Sequence, residues 1–258
     1  MCNLDEIPHC KSSFEVSNPI VRFSDLEEDD LEDLHAQMDE LTRTIKLEFK
    51  KFLDKVFVSF RDSTEVDRDR LVLTLLKEEA LFEEEELAEA KTVFDVFKTI
   101  KPYCSYFNYE VLETLVQVNG SHQAKGYLKE YIQAFSLYCK AIPCAEEICG
   151  SEDTKSKRTK LKFKLDFDRQ QLKPDAVHSI KRRIAGHLGI RPSALYLCRI
   201  KDGCILLEFL VPTFIVERLF PLSNTQKIKL CEDVKVLTIE HHIVSFIIYC
   251  FNVLMSIS

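Results

Sequence analysis

Apolar residues recur along the first half of the chain at steps of three and four. Leu31, Leu34, Met38, Leu41, Ile45, Phe49, Phe52, Val56 and Phe60 fall on one face of a helix of about eight turns. The acidic run Asp25–Asp33 opens it and suits the positive end of the helix dipole. A coiled coil uses the same spacing, but phenylalanines at successive seam positions and the lack of orderly flanking charge pairs favour packing within a bundle. Shorter patterns predict a helix over Arg70–Leu81, and another running from Glu83–Glu86 to Ile100 with Pro102 as its stop. A further helix is capped by Ser105 or Asn108 and closed by Asn119-Gly120, and the last runs from Ser121 to Pro143. Five helices in about 120 residues predict an antiparallel bundle. The Glu83–Glu86 run reads as a solvated first turn.

Near residue 150 the period changes. Leu161-Lys-Phe-Lys-Leu-Asp-Phe167 alternates strictly, which predicts a half-buried strand. Pro174 then starts a helix with Val177, Ile180, Ile184 and Leu188 on one face, ending at Gly189. Two apolar runs, Ala194–Ile200 and Cys204–Val211, flank the turn Lys201-Asp202-Gly203 and predict a hairpin. Phe214–Phe220 is a short helix, Asn224–Cys231 a further turn or two, and Val234–Ile239 a final strand. The expected fold class is α+β: an N-terminal antiparallel helical bundle followed by a ferredoxin-like β-α-β-β-α-β sandwich. The corresponding parts are a flexible lead (1–24), the bundle (25–149), a linker (150–160), the α+β domain (161–242) and an apolar tail (243–258). The tail carries no charge, yet its 16 residues fall short of the ~20 that a membrane helix needs. It reads as a packed extra helix, as an end foreign to the domain, or as a tail anchor.

Charge divides the chain at the same place. Residues 1–150 hold 17 Lys+Arg against 31 Asp+Glu, and residues 151–258 hold 18 against 11. An acidic helical half and a basic sheet half therefore offer charged faces to partners or to each other. A hydrophobic content of 46%, six glycines, eight prolines and no tryptophan predict a packed core rather than disorder. Most of the ten cysteines sit in apolar runs, as free thiols do in a reducing compartment. The polar, acidic opening residues read as no secretory signal, so Asn119-Gly120-Ser121 is expected to be a helix stop rather than a glycan site. A cytoplasmic protein is expected.

The basic half presents Lys155, Lys157, Arg158, Lys160, Lys162, Lys164, Lys181, Arg182 and Arg183 as an expected interaction surface. Lys157-Arg158-Thr159-Lys160 also fits a short nuclear-import pattern, but such matches are common by chance and a solvated linker is the plainer reading. A sheet of this order with positive charge invites comparison with RNA-recognition modules, but bases stack on aromatic side chains. The comparable positions hold Cys204 and Leu206 on one strand, and Lys162, Lys164 and Asp166 on another. Phosphate attraction survives; base reading does not. Cys139, Cys144 and Cys149 lack the short pair spacing of zinc sites, and His241 and His242 would point to opposite faces of a strand. His178 and His187 are expected at a helix surface. No nucleophile elbow, Cys-His arrangement or glycine-rich phosphate loop stands out, so no catalytic, cofactor-binding or metal-ligating residue and no cofactor is expected.

The segments Ile184-Ala-Gly-His-Leu-Gly-Ile190, Leu195-Tyr-Leu-Cys-Arg-Ile200, Gly203-Cys204, Phe209-Leu-Val-Pro212 and Phe220-Pro-Leu-Ser223 resemble an uncharacterised module of invertebrate intracellular proteins. The stretch Tyr103-Cys-Ser-Tyr-Phe-Asn-Tyr109 is similar to the helical region that precedes that module. The resemblance covers roughly residues 40–240 and implies a two-part unit carried beside death-fold, repeat or nucleotide-binding domains. It implies a signalling or innate-immune scaffold and brings no catalytic residues. The expectation is a non-enzymatic intracellular protein-interaction module with protein partners. Its alternative is peripheral or tail-anchored membrane attachment through 243–258, and nucleic-acid binding stands third.

Overall fold

The long apolar stripe does form one helix, α1 (Glu28–Arg61), with Met38, Ile45, Phe49, Phe52, Val56 and Phe60 buried. The computed structural model describes residues 28–63, 66–79, 81–142, 158–166, 172–201, 205–241 and 244–247. The expected lead at 1–24 lies outside them. Helix α1 runs antiparallel to α6 (His122–Ala141): Thr42 meets Tyr138 at 3.3 Å, and Ser59 meets Ser121 at 3.1 Å. Their seam is aromatic, with Phe52 stacked on Tyr131 at 4.9 Å and Phe49 edge-on to the same ring. Such pairs add a directional preference to plain burial.

Between these helices lie α2 (Arg68–Thr74, extended to Glu79 by a π turn), α3 (Glu84–Ala88), α4 (Val93–Ile100) and α5 (Glu110–Asn119). The single helix expected from Glu83 to Ile100 is two. Thr92 and Asp95 form a capping box that starts α4 afresh. The Arg68 guanidinium takes the freed carbonyls of Leu87 and Ala90 at 2.9 and 2.5 Å. Ser121 caps α6 as expected, accepting from the Ala124 N–H. Asn108 does not cap α5; Tyr109 holds that position, and the Asn108 side chain goes elsewhere.

In the second half β1 (Arg158–Leu165) leads into α7 (Pro174–Leu188), then β2 (Tyr196–Lys201) and β3 (Leu206–Pro212). Next come α8 (Thr213–Leu219), α9 (Asn224–Val234), β4 (Val236–His241) and β5 (Val244–Ile247). Among the described residues these make one antiparallel sheet in the order β2-β3-β1-β4-β5. Strand β1 starts three residues earlier than expected, so Arg158–Lys160 belong to the sheet and not to a linker. Ser223 and Gln226 form a capping box that gives α9 three turns where one or two were expected. Part of the apolar tail is strand, since Val244–Ile247 pair with β4. Among the described residues no helix is long and apolar enough to cross a membrane. The turn at 202–204 and the tail beyond 247 lie outside the described residues.

One buried apolar cluster runs from Met38 and Phe60 in α1 through Phe107, Leu112 and Phe135 to Phe163, Phe209 and Ile239 in the sheet. The change of pattern near residue 150 is therefore no break in the core. Helix α7 buries Val177, Ile180, Ile184 and Leu188 and turns His178, Lys181 and Arg182 toward Glu110 and Glu113 of α5. A shared core predicts that both halves unfold together. Hydrogen exchange should give amides of α6 and β1 the same opening free energy and denaturant dependence. Two well-separated transitions would contradict this.

Candidate functional site

The only long side chain of the chain's basic residues to be fully buried, among those described, is Lys181. Its Nζ lies 2.6 Å from Glu110 Oε1 and donates to Asn108 Oδ1 at 2.9 Å. Asn108 is itself buried and faces the edge strand β2. Its Oδ1 also accepts from the Leu197 N–H at 2.9 Å, while Nδ2 donates to the Leu197 carbonyl at 3.0 Å and to Ser105 Oγ at 3.0 Å. The carboxamide thus imitates the peptide of a neighbouring strand and closes the β2 edge where its pairing with β3 shifts between Leu197 and Arg199. His178 joins from the next turn of α7, with Nε2 3.5 Å from Glu110 Oε1 and its ring stacked on Tyr109 at 5.7 Å. Glu110, Lys181, Asn108 and His178 form one cluster at the junction of the halves.

Electrostatics fix the character of this cluster. Burial pushes the Glu110 carboxyl up, but attraction to Lys181 and His178 outweighs it and leaves the pKa at about 2. Burial also lowers the Lys181 ammonium, and Glu110 opposes that shift. A pair this deep is held by mutual need: each charge alone would be strongly disfavoured there. Glu79, at the end of the α2 π turn, is 3% exposed and differs. Burial raises its pKa; the Ser193 and Thr114 hydroxyls pull the other way, yet Oε2 has no hydrogen-bond partner.

Of the nine basic residues expected to form one surface, seven lie among the described residues, and one of these is not at the surface. Lys181 is a core residue, a correction that follows from its burial against Glu110. The Arg158 guanidinium sits 3.7 Å over the Tyr103 ring and 5.4 Å from that of Tyr196. Lys160 lies 3.9 Å from Glu208, and Lys162 lies 4.0 Å from Glu240. In register, Arg199, Glu208, Lys162 and Glu240 alternate in sign across four strands. Cross-strand alternation of this kind neutralises the face where nucleic acid would need charge and stacking rings. Lys164 is half-buried on β1. Arg182 stands on α7 beside Glu113 at 3.6 Å, and Arg183 donates to the Asp233 carbonyl at 3.3 Å. Lys155 and Lys157 lie outside the described residues.

Of the two histidines of α7 expected at its surface, His178 is mostly buried and His187 is half-buried. His178 is largely enclosed by Phe107, Tyr109 and Phe135, and His187 contacts Asp233 at 3.0 Å. Cys104, Cys139 and Cys198 are not disulfide-bonded, whereas Cys231 is and departs from the thiol expectation. Burial pushes the Cys104 thiol up and the Cys139 thiol up to about 12, so both stay protonated at neutral pH. Among the described residues no three His, Cys, Asp or Glu side chains are grouped to hold a metal ion. Sequence spacing does contain a trace of the cluster: Lys181 falls at i+4 from Val177 and i−3 from Ile184, on the core face of its helix. Compared with protein-family models, curated proteins and solved structures, the chain matches none.

Removing one member of the buried pair should be costly. E110Q or K181M alone is expected to lose about 3–5 kcal/mol in urea unfolding, and E110L/K181M together clearly less than the sum. Additive losses would show that the two charges are not coupled. The pH dependence has opposite signs at the two carboxyls. Glu110, held at about 2 against an ordinary 4.5, stabilises the fold above pH 4.5 and loses that contribution as pH falls toward 2. Glu79, raised by burial, costs nothing at low pH and destabilises as pH rises past 4.5. E79Q should therefore gain on the wild type with rising pH while E110Q falls behind it, as read by urea midpoints between pH 2 and 7.

Proposed function

We propose that the chain is a non-enzymatic interaction module in which an antiparallel helical bundle and a ferredoxin-like sandwich act as one rigid unit. The antiparallel α1–α6 pair and the β2-β3-β1-β4 order support those architectural names. The observation that carries the functional reading is how charge is distributed. Basic groups of the sheet half meet acidic groups of the helical half at Lys181–Glu110, His178–Glu110, Arg182–Glu113 and Arg191–Glu78. The buried groups Lys181, Glu110 and His178 are thereby committed to holding the halves together rather than to a substrate. The acidic excess of the helical half is left outward, as at the exposed residues Glu83, Glu84 and Glu85 of the α3 start. Such a face steers and orients a basic protein partner more than it tightens the complex. A scaffold role in intracellular signalling or innate immunity fits a rigid, oppositely charged two-part unit.

Capture from native extract with the full chain tests this. Wild type should retain a protein partner in a salt-sensitive way, and E83K/E84K/E85K, confirmed as folded by its thermal melt, should retain at least about fivefold less. Equal retention by both forms, or recovery of chaperones alone, would overturn the reading.

A further inference from the structure

Beside the junction lies a cavity of about 530 Å³, within the range of small-ligand pockets. Its walls are apolar, built from Ile190, Ala194, Phe214 and Ile215. Glu79 contributes the one acidic group of the lining, and its Oε2 is buried with no hydrogen-bond partner. A carboxyl buried this deeply is costly to ionise, so a cationic group in the cavity offsets that cost. The neighbouring Ser193 and Thr114 hydroxyls act on this carboxyl without pairing Oε2. Two guanidinium groups complete the lining from exposed positions, Arg191 and Arg218. Arg218 is held 5.4 Å over the Phe214 ring, and Arg191 makes only a half-exposed, 3.4 Å contact with Glu78. Negative charge inside, positive charge at the mouth and apolar walls between them select a ligand with the reverse arrangement.

We propose that this cavity binds a small zwitterion with an apolar body, of the class of apolar dipeptides. Its ammonium donates to Glu79, and its carboxylate meets Arg218 and Arg191. An ammonium offsets the cost of ionising Glu79, and guanidinium is the side chain best matched to a carboxylate. The volume exceeds that of a single amino acid and leaves room for two apolar side chains. This inference stands apart from the interaction reading: losing either leaves the other intact.

The probe is L-leucyl-L-leucine, titrated into the full chain by calorimetry and followed by methyl NMR. Saturable binding is expected, with shifts at the methyls of Ile190, Ala194 and Ile215. N-acetylation of the dipeptide and the E79Q substitution should each weaken binding at least about tenfold. Amidation of its carboxylate and R218Q should each weaken it at least about threefold. No saturation below about 10 mM, shifts at other methyls only, or equal affinity in E79Q would overturn the proposal. Should E79Q fail to fold, the N-acetyl comparison on the wild-type chain decides: equal affinity of the blocked and free dipeptides overturns it.

Discussion

Everything at the junction depends on a single carboxamide. Asn108 stands where three demands meet: an edge strand with an unpaired peptide, a buried ammonium, and a loop that must be pinned before α5 begins. Its oxygen serves the first two and its nitrogen serves the first and the third. No apolar residue of similar size could do this, and Asp would place a second anion beside Glu110. The cluster is consistent because every member answers another. Lys181 is tolerated because Glu110 faces it, Glu110 because Lys181 does, and Lys181 is oriented by a side chain that is itself fixed to backbone.

This arrangement changes the meaning of the charge asymmetry. An acidic half and a basic half suggest two bodies that attract across solvent. Instead, some of the opposing charges are within hydrogen-bonding distance inside a shared core, and others are matched strand to strand on the sheet. Arg182 and Arg191 make weaker, exposed versions of the same contact with Glu113 and Glu78. Surface pairs of that kind contribute little each. Losing one member of the buried pair therefore costs more than losing any of the exposed ones.

How much of this was legible in the sequence follows from which interactions are local. The α1 stripe, the β1 alternation, the Ser121 cap and the α7 limits are set by residues three or four apart, and they could be read directly. The break between α3 and α4 was also written locally, in Thr92 and Asp95, but the continuous apolar spacing through Leu87 and Val93 masked it. Strand β5 could not be read, because its pairing depends on a neighbour already in a sheet. The junction was the least legible part. Lys181 sits among Lys-Arg-Arg, where charge implies solvent, and only its position on the apolar stripe says otherwise. Asn108 resembles a helix cap because an amide that closes a distant strand edge has no local signature at all.

Glu79 and Glu110 together show why burial alone does not define a site. Both are acidic, both are enclosed, and Glu110 adds to the upward shift of Glu79. Glu110 has cations against it, so its ionisation stabilises the fold and its chemistry is closed. Glu79 lies at the same junction but lines a cavity, with Arg191 and Arg218 at the rim and no cation against its buried Oε2. The fold must therefore carry the cost of that carboxyl in the absence of a ligand. A group that destabilises the free protein while a matched donor would relieve it is poised for binding, because the relief appears only in the complex. The two residues differ in what stands opposite them, and that difference separates architecture from an opening for another molecule.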